Sequence, residues 1–81
     1  MRIQVRFFSY FKDLTGCAET VGEVPEGSSL GELLAQLRGQ FPKLEPMKNS
    51  TLAAVGVEYQ DRHYVLREKD VVSLFPPVQG G

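Results

Sequence analysis

One segment near the middle of the chain has the residue spacing of an amphipathic helix. This helix limits which folds the whole chain can adopt. Ser29 is followed three residues later by Glu32, the pairing of a capping box at a helix start. Apolar side chains then recur every three or four residues, which places them on one side of a helix: Leu30, Leu33, Leu34, Leu37 and Phe41. Pro42 cannot continue the helix, because its nitrogen carries no proton and its ring clashes with the preceding turn. The chain therefore has one main helix, which can cover one face of a sheet.

Two segments before this helix have strand patterns. Residues 2–9 begin with alternating apolar and polar side chains, the pattern of a half-buried strand. A short stretch over residues 10–14 can hold one helical turn before Gly16. Residues 18–24 are a weaker strand candidate, closed by the turn sequence Pro25-Glu26-Gly27. We expect the first two strands to form a hairpin.

Further strands are predicted after the helix. Residues 43–51 are expected to form a loop or a short irregular helix. Residues 52–59 and 62–66 are apolar and β-branched, and together they predict a second hairpin around Gln60-Asp61, although that turn lacks the favoured glycine. Residues 71–75 form a final strand, whose almost continuous apolar character indicates a central, covered position.

The order of these elements predicts an α+β fold of the β-grasp type, with a mixed sheet of four to five strands packed on one main helix. We expect a single domain over residues 1–81, because 81 residues with 42% hydrophobic and 23% charged residues suit one globular unit. A flexible tail is expected over residues 76–81.

Composition argues against several classes of function. The nine Lys and Arg are scattered beside ten acidic residues, and the net charge of -1 offers no basic stripe for nucleic acid. Cys17 and His63 are the only residues of their types, too few for an internal disulfide or a zinc site. Apolar runs fall short of the ~20 residues needed to cross a bilayer, and a strand pattern opens the chain in place of a signal peptide. We therefore expect a cytoplasmic protein with no membrane, nucleic-acid or metal partner.

The last six residues form the only compositional break in the chain, Pro76-Pro77-Val78-Gln79-Gly80-Gly81. The two prolines fix φ and favour an extended direction away from the sheet. Residues 78–81 can then reach roughly 13 Å at ~3.3–3.6 Å per residue. Glycine lacks a Cβ, so the final pair can pass a channel too narrow for side chains. The alternative is an idle, frayed terminus.

A carboxylate on Gly81 would be the chemical group of such a tail. It is anionic at pH 7 and a poor electrophile, so it must be activated. Coupling to the adenylyl group of ATP gives a mixed anhydride, and a sulfur nucleophile that displaces AMP leaves a thiocarboxylate. The sequence has neither a Walker-type phosphate loop nor a Rossmann fingerprint, so a separate enzyme must bind the ATP. The chain is expected to be a carrier and not an enzyme.

Residues 74–81, Leu-Phe-Pro-Pro-Val-Gln-Gly-Gly, closely resemble the C-terminus of the molybdopterin synthase small subunit family, which are ubiquitin-like sulfur carriers. The resemblance extends to Phe7-Phe8, to residues 52–55, and to Leu66 followed by residues 70–72. Two positions depart from the family pattern. Gly56 stands where members often carry Asn, and Glu68-Lys69-Asp70 stands where a Gly-Asp turn is common.

This resemblance implies a ubiquitin-like β-grasp fold and a specific route for sulfur. Gly81, preceded by Gly80, would be adenylated by an E1-like enzyme that uses ATP and Mg, since the chain itself binds no cofactor. Sulfur would come from a donor such as a cysteine desulfurase or a rhodanese. The loaded tail would enter the large subunit of molybdopterin synthase and convert cyclic pyranopterin monophosphate to molybdopterin, within a heterotetramer.

The same resemblance implies that five residues before the glycines dock on partners: Phe75, Pro76, Pro77, Val78 and Gln79. From its sequence position, Phe75 could equally be the last core residue of the final strand. Three alternatives stay open for the whole chain: a carrier for thiamine synthesis or tRNA thiolation, a ubiquitin-like modifier joined to lysines, and a β-grasp binding module with an idle tail. Carriers of thiamine synthesis tend to be shorter and to lack the Phe-Pro-Pro run, which disfavours that branch.

Overall fold

Residues 1–77 are described by a computed structural model, in which five strands, two α-helices and a 3₁₀ helix follow one another. Their order and bounds are β1 (Arg2–Phe7), α1 (Phe11–Thr15), β2 (Glu19–Glu23), α2 (Leu30–Gln40), the 3₁₀ helix (Pro42–Met47), β3 (Leu52–Val55), β4 (Glu58–Tyr59) and β5 (Val71–Phe75). The strands form one sheet in the order β2-β1-β5-β3-β4. β1 and β5 are parallel and the other neighbours are antiparallel, so the sheet is mixed. The predicted β-grasp arrangement is confirmed.

One face of the sheet packs with α2 into a single apolar core. Strand alternation turns every second side chain of β1 and β5 toward that face. The fully buried side chains of the two strands and the helix are Ile3, Val5, Phe7, Val72, Leu74, Leu30, Leu33 and Leu37. Leu34 lies at the edge of this cluster and is partly buried. Burial of each such side chain contributes about 1.5–3 kcal/mol, which makes this face the main source of stability.

The start of α2 has the predicted capping box. The Ser29 hydroxyl accepts from the Glu32 amide at 3.2 Å, and the Ser29 amide donates to the Glu32 carboxylate at 3.2 Å. The amides of the first two helix residues donate to carbonyls of a loop that is distant in sequence. Leu30 donates to Tyr64 at 2.7 Å and Gly31 to Arg62 at 3.0 Å. Four amides at a helix start have no partner inside the helix, so this loop completes the cap.

Gly31 has no side chain where the loop approaches α2. A Cβ there would lie 2.9 Å from the Arg62 Cβ and 3.2 Å from the Arg62 carbonyl oxygen, so a Gly31→Ala substitution must displace backbone. We expect it to lower the free energy of unfolding by about 1–3 kcal/mol in urea denaturation. Gly39→Ala is the matched control in the same helix, because nothing lies within 4 Å of a Cβ at that position. Gly39→Ala should raise the free energy of unfolding by about 0.5–1 kcal/mol. Equal effects of the two substitutions would contradict the close approach of the Arg62 loop to Gly31.

The second hairpin turns at a different place from the predicted one. The prediction of a hairpin around Gln60-Asp61 is wrong: β3 and β4 pair across Gly56-Val57, with Val55 opposite Glu58. Gly56 has a φ of +63°, a conformation that suits tight hairpin turns and favours glycine. Residues 62–66 form no strand. Instead they provide carbonyls to α2 and a single bridge between Val65 and Ser29.

Both departures from the family pattern fall on left-handed backbone. Glycine and asparagine are the residues that most readily adopt it, which explains how Gly56 can stand where Asn is common. Lys69 has a φ of +75° without being glycine, so this turn carries strain. The Asp70 carboxylate holds the turn by accepting from the Arg67 amide at 2.8 Å and the Tyr64 hydroxyl at 3.3 Å. Burial and the Asp70 charge raise the pKa of Tyr64 above its ordinary value.

β5 is the central strand, as predicted, with β1 and β3 as its neighbours. The predicted covered position holds for one face only. Val72 and Leu74 are buried in the core, whereas Val71, Ser73 and Phe75 are half-buried on the other face. We call that second face of the sheet, away from α2, the open face. None of the helices within residues 1–77 is long and apolar enough to span a membrane.

Candidate functional site

Phe75 lies on the open face at the end of β5. Leu74 before it is buried in the core and pairs with Phe7, so the alternation of the strand points the Phe75 side chain the other way. Phe75 belongs neither to the buried core nor to the apolar side chains packed against it. The interpretation of Phe75 as the last core residue is therefore wrong, and its side chain is available at the surface where the tail begins.

Two other aromatic rings flank Phe75. The Phe8 ring stacks on it with centroids 4.7 Å apart and an angle of 14° between the planes. The Tyr59 ring meets it edge to face, with centroids 6.2 Å apart and an angle of 70°. Leu52 stands opposite Phe75 on β3. We call these four residues the aromatic patch. Phe8, Leu52 and Tyr59 are 39%, 36% and 67% exposed, and apolar side chains that lie together at a surface are a feature of interaction sites.

The end of β1 fixes Phe8 in this position. Its amide donates to the Leu74 carbonyl at 3.1 Å, which continues the pairing of β1 with β5 by one residue. The chain then turns at Ser9, whose φ of +56° is left-handed without being glycine, and α1 starts two residues later. Such backbone costs of the order of 1–3 kcal/mol and is maintained only where its surroundings impose it. The turn sends the chain away from the sheet directly after Phe8.

Sequence reasoning missed Phe8 and Tyr59 as site residues. A signal for Phe8 was present, because two adjacent phenylalanines in a strand must point to opposite faces, and only one face could be the core. Tyr59 carried no such signal, since its place beside Phe75 depends on where the β3–β4 hairpin turns.

Pro76 and Pro77 follow the patch and are half-buried. Proline has no amide proton, so neither residue can extend the ladder of β5, and the sheet ends at Phe75. The remaining predicted site residues lie outside the described part of the chain: Val78, Gln79, Gly80 and Gly81. Their roles stay predictions.

The open face beside β2 has a different character. Arg2 pairs with Glu23 at 3.5 Å and Arg6 with Glu19 at 3.8 Å, and all four side chains are well exposed. Gln4 also donates to Glu19 at 3.0 Å. Exposed pairs of this kind contribute roughly 0–1 kcal/mol, so they add little to stability. Their effect is to divide the open face into an ion-paired half on β1 and β2 and an apolar half next to the tail.

Other chemistry-bearing residues lie apart from the patch. Cys17 is half-buried, and its sulfur lies 3.7 Å from the Thr15 hydroxyl. His63 is exposed in the loop that caps α2. Within residues 1–77, no three His, Cys, Asp or Glu side chains come close enough together to hold a metal ion.

The sequence resembles known families along its whole length. The model described as the ThiS family matches residues 5–81. A molybdopterin synthase sulfur carrier subunit from Chlamydomonas reinhardtii is 31% identical over 84 residues, covering 100% of both chains. One from Arabidopsis thaliana is 28% identical and covers 100% of this chain and 84% of its own. Small archaeal modifier protein 3 of Haloferax volcanii is 25% identical, with 100% of both chains covered.

Solved structures share the fold. SAMP1 from Haloferax volcanii matches with a TM-score of 0.90 at 21% identity, covering 100% of both chains. A chain from the complex of subunits 1 and 2 of molybdopterin-converting factor from Helicobacter pylori matches with a TM-score of 0.71 at 24% identity, again over 100% of both chains. At these identities the likeness establishes the fold alone.

Proposed function

Because the chain belongs to the ThiS family and is a sulfur carrier of the molybdopterin synthase small subunit family, we propose that it carries sulfur as a thiocarboxylate on Gly81. The acceptor is cyclic pyranopterin monophosphate, bound by the large subunit of a molybdopterin synthase. The observation that carries this proposal is the aromatic patch, which places an exposed apolar surface at the point where the tail leaves the sheet.

The chemistry proceeds in two stages on the same carbonyl carbon. On an E1-like partner with bound ATP and Mg, a Gly81 carboxylate oxygen attacks the α-phosphate and pyrophosphate leaves. A persulfide sulfur of the donor then displaces AMP, which departs with that oxygen, and a second thiol cleaves the acyl disulfide to release the thiocarboxylate and form a disulfide. In the second stage the thiocarboxylate sulfur bonds to a carbon of the acceptor and displaces an oxygen substituent of that carbon. Water then cleaves the resulting thioester, which restores the Gly81 carboxylate and leaves the sulfur on the acceptor. Since a dithiolene contains two sulfur atoms, two loaded carriers serve each product. This chain contributes position and the reacting terminus, and its partners contribute the binding of nucleotide and substrate.

Top-down mass spectrometry of the protein from its native cells tests the proposal. Fragments must separate Gly81 from Met1 and Met47, because oxidation of methionine has the same nominal mass change as replacing oxygen by sulfur. We expect sulfur at Gly81 in cells that make molybdopterin. An unmodified carboxylate in cells with active sulfur transfer would contradict the proposal.

The aromatic patch predicts the surface that docks on the large subunit. Leu52→Asp would place a charge in the apolar half of the open face, and we expect it to raise the dissociation constant for the large subunit at least ~30-fold, the size of a central interface residue. Isothermal titration calorimetry measures this dissociation constant. Val57→Asp is the matched control, because Val57 is 98% exposed at the tip of the β3–β4 turn, outside the patch. Wild-type affinity of Leu52→Asp would exclude the patch from the interface.

Conjugation to lysines is the second candidate, and its support is the similarity to small archaeal modifier protein 3. An adenylated Gly81 is a suitable intermediate for either fate. Gly-Gly remnants on lysines of other proteins after digestion would favour conjugation. Capture of a thiazole synthase or a tRNA thiolase in place of a pterin-binding large subunit would instead assign the carrier to thiamine synthesis or tRNA thiolation.

A further inference from the structure

We propose that Phe8 and Tyr59 are positioning residues, which act through the ring of Phe75 to set the direction in which the tail leaves the sheet. The inference rests on the proposed function and adds a second role to the patch. Docking requires only that apolar area be covered, whereas positioning requires that the rings hold one another in place before any partner binds.

Phe75 is the last residue of β5, where it stands opposite Leu52 of β3. Pairing with β1 ends at the bond from the Phe8 amide to the Leu74 carbonyl, and Pro76 has no amide proton with which to extend pairing further. The Phe75 ring is outside the core. Besides Leu52 opposite it, the Phe75 ring contacts the stacked ring of Phe8 and the edge-to-face ring of Tyr59. Both arrangements are attractive at these separations.

Restraint at Phe75 passes along the chain because the next two residues are stiff. The φ angles of Pro76 and Pro77 are fixed, so the orientation of Phe75 sets the direction of the segment after it. Pro76 and Pro77 span about 7 Å when extended, and a tilt of about 20° at Phe75 moves the end of Pro77 by about 2 Å. Displacement of a reacting group by 1 Å can lower a rate about 10²-fold. A fixed starting direction therefore reduces the search that precedes reaction.

The strained turn at Ser9 supports this role for Phe8. The left-handed residue directly after Phe8 lets the chain depart from the sheet while the Phe8 ring remains stacked on Phe75. Strained backbone is concentrated at functional sites. The shorter centroid distance for Phe8, 4.7 Å against 6.2 Å for Tyr59, predicts that Phe8 has the larger effect.

A direct test uses the free, full-length protein. Residual dipolar couplings of the Cα–Hα bonds of Pro76 and Pro77 report their orientation relative to the sheet. We expect these couplings to fit the orientation of the sheet in the wild type and in Phe8→Tyr, which keeps the stacked ring. In Phe8→Ala they should shrink toward zero while the couplings of the strands persist. Unchanged couplings in Phe8→Ala would overturn the proposal without bearing on sulfur carriage.

Single-turnover kinetics connects the orientation with function. With the thiocarboxylated chain bound to saturating large subunit and substrate, Phe8→Ala should lower the transfer rate roughly 2- to 12-fold, the factor that one lost aromatic pair corresponds to. Phe8→Tyr should restore the rate. Val21→Ala, which removes an exposed apolar side chain from the other half of the open face, should leave it unchanged.

Failure of the positioning role can be distinguished from failure of the proposed sulfur-carrier function. If Phe8→Ala weakens binding but reacts at the wild-type rate once saturated, the patch only docks and the positioning role is overturned. If the thiocarboxylated wild type transfers no sulfur, the proposed function fails, and the couplings of Pro76 and Pro77 still decide whether the rings orient the tail.

Discussion

We expect deletion of Gly81 to abolish sulfur transfer and to leave the fold intact. All strands, helices and core side chains that the structure describes lie within residues 1–77, so the deletion changes none of those residues. The carboxylate moves back to Gly80, about 3.3–3.6 Å short of its normal reach. A misplacement of 1 Å lowers rates about 10²-fold, so a shift of this size removes both loading by the activating enzyme and transfer to the acceptor.

Two measurements on the truncated chain make the prediction specific. Thermal unfolding should give the wild-type midpoint, and mass spectrometry after incubation with the activating enzyme, ATP and a sulfur donor should find no thiocarboxylate. Sulfur transfer at the wild-type level by the truncated chain would exclude Gly81 as the carrier. A lowered midpoint would instead mean that the tail packs on the fold.

Phe7→Ala is expected to have the largest effect on stability. The Phe7 side chain is 2% exposed and meets the Phe41 ring edge to face, with centroids 5.6 Å apart. Truncation of a buried phenylalanine costs about 3–5 kcal/mol. A chain of 81 residues has a total stability of about 4–12 kcal/mol at roughly 0.05–0.15 kcal/mol per residue. The substitution therefore removes a large share of the stability, which urea denaturation measures directly.

Phe8→Ala is the matched control, since the two residues are neighbours in sequence and lie on opposite faces of the sheet. Phe8 is 39% exposed and its ring contact with Phe75 is worth about 0.5–1.5 kcal/mol. Phe7→Ala should thus destabilise the protein several times more than Phe8→Ala. Equal losses would contradict the separation between the core face and the open face.

Local patterns were sufficient to predict most of the fold. The helix start at Ser29 depends on residues three positions apart, and the strand character of β1 depends on alternation within six residues. That of β5 depends on five consecutive residues rich in β-branched and aromatic types. The second hairpin was misplaced because the polar pair Gln60-Asp61 separates two apolar, β-branched segments and so resembles a turn, whereas the actual turn lies inside the first segment. Gly56 decides the turn, and its requirement for left-handed backbone appears only once the strands are paired.

One part of the candidate site could also be predicted from local sequence, and the other part could not. The chemistry proposed for the tail follows from adjacent residues, since stiff prolines before two glycines can be recognised without a structure. The aromatic patch is composed of Phe8, Leu52, Tyr59 and Phe75, which are far apart in sequence. They meet because β5 lies between β1 and β3 in a particular register, and such pairings between distant segments leave no periodic signal in the sequence.

The position of β5 in the sheet also affects how the protein is made. β1 and β3 are not neighbours in the sheet, and both pair with β5. The β1–β2 pair and the β3–β4 pair are therefore not joined into one sheet until residues 71–75 have been synthesised. Folding thus depends on contacts between distant segments and is completed late. A copy whose translation stops before β5 lacks both the complete sheet and the tail. Under the proposed function, a chain can therefore be loaded with sulfur only after β5 and the tail have been made.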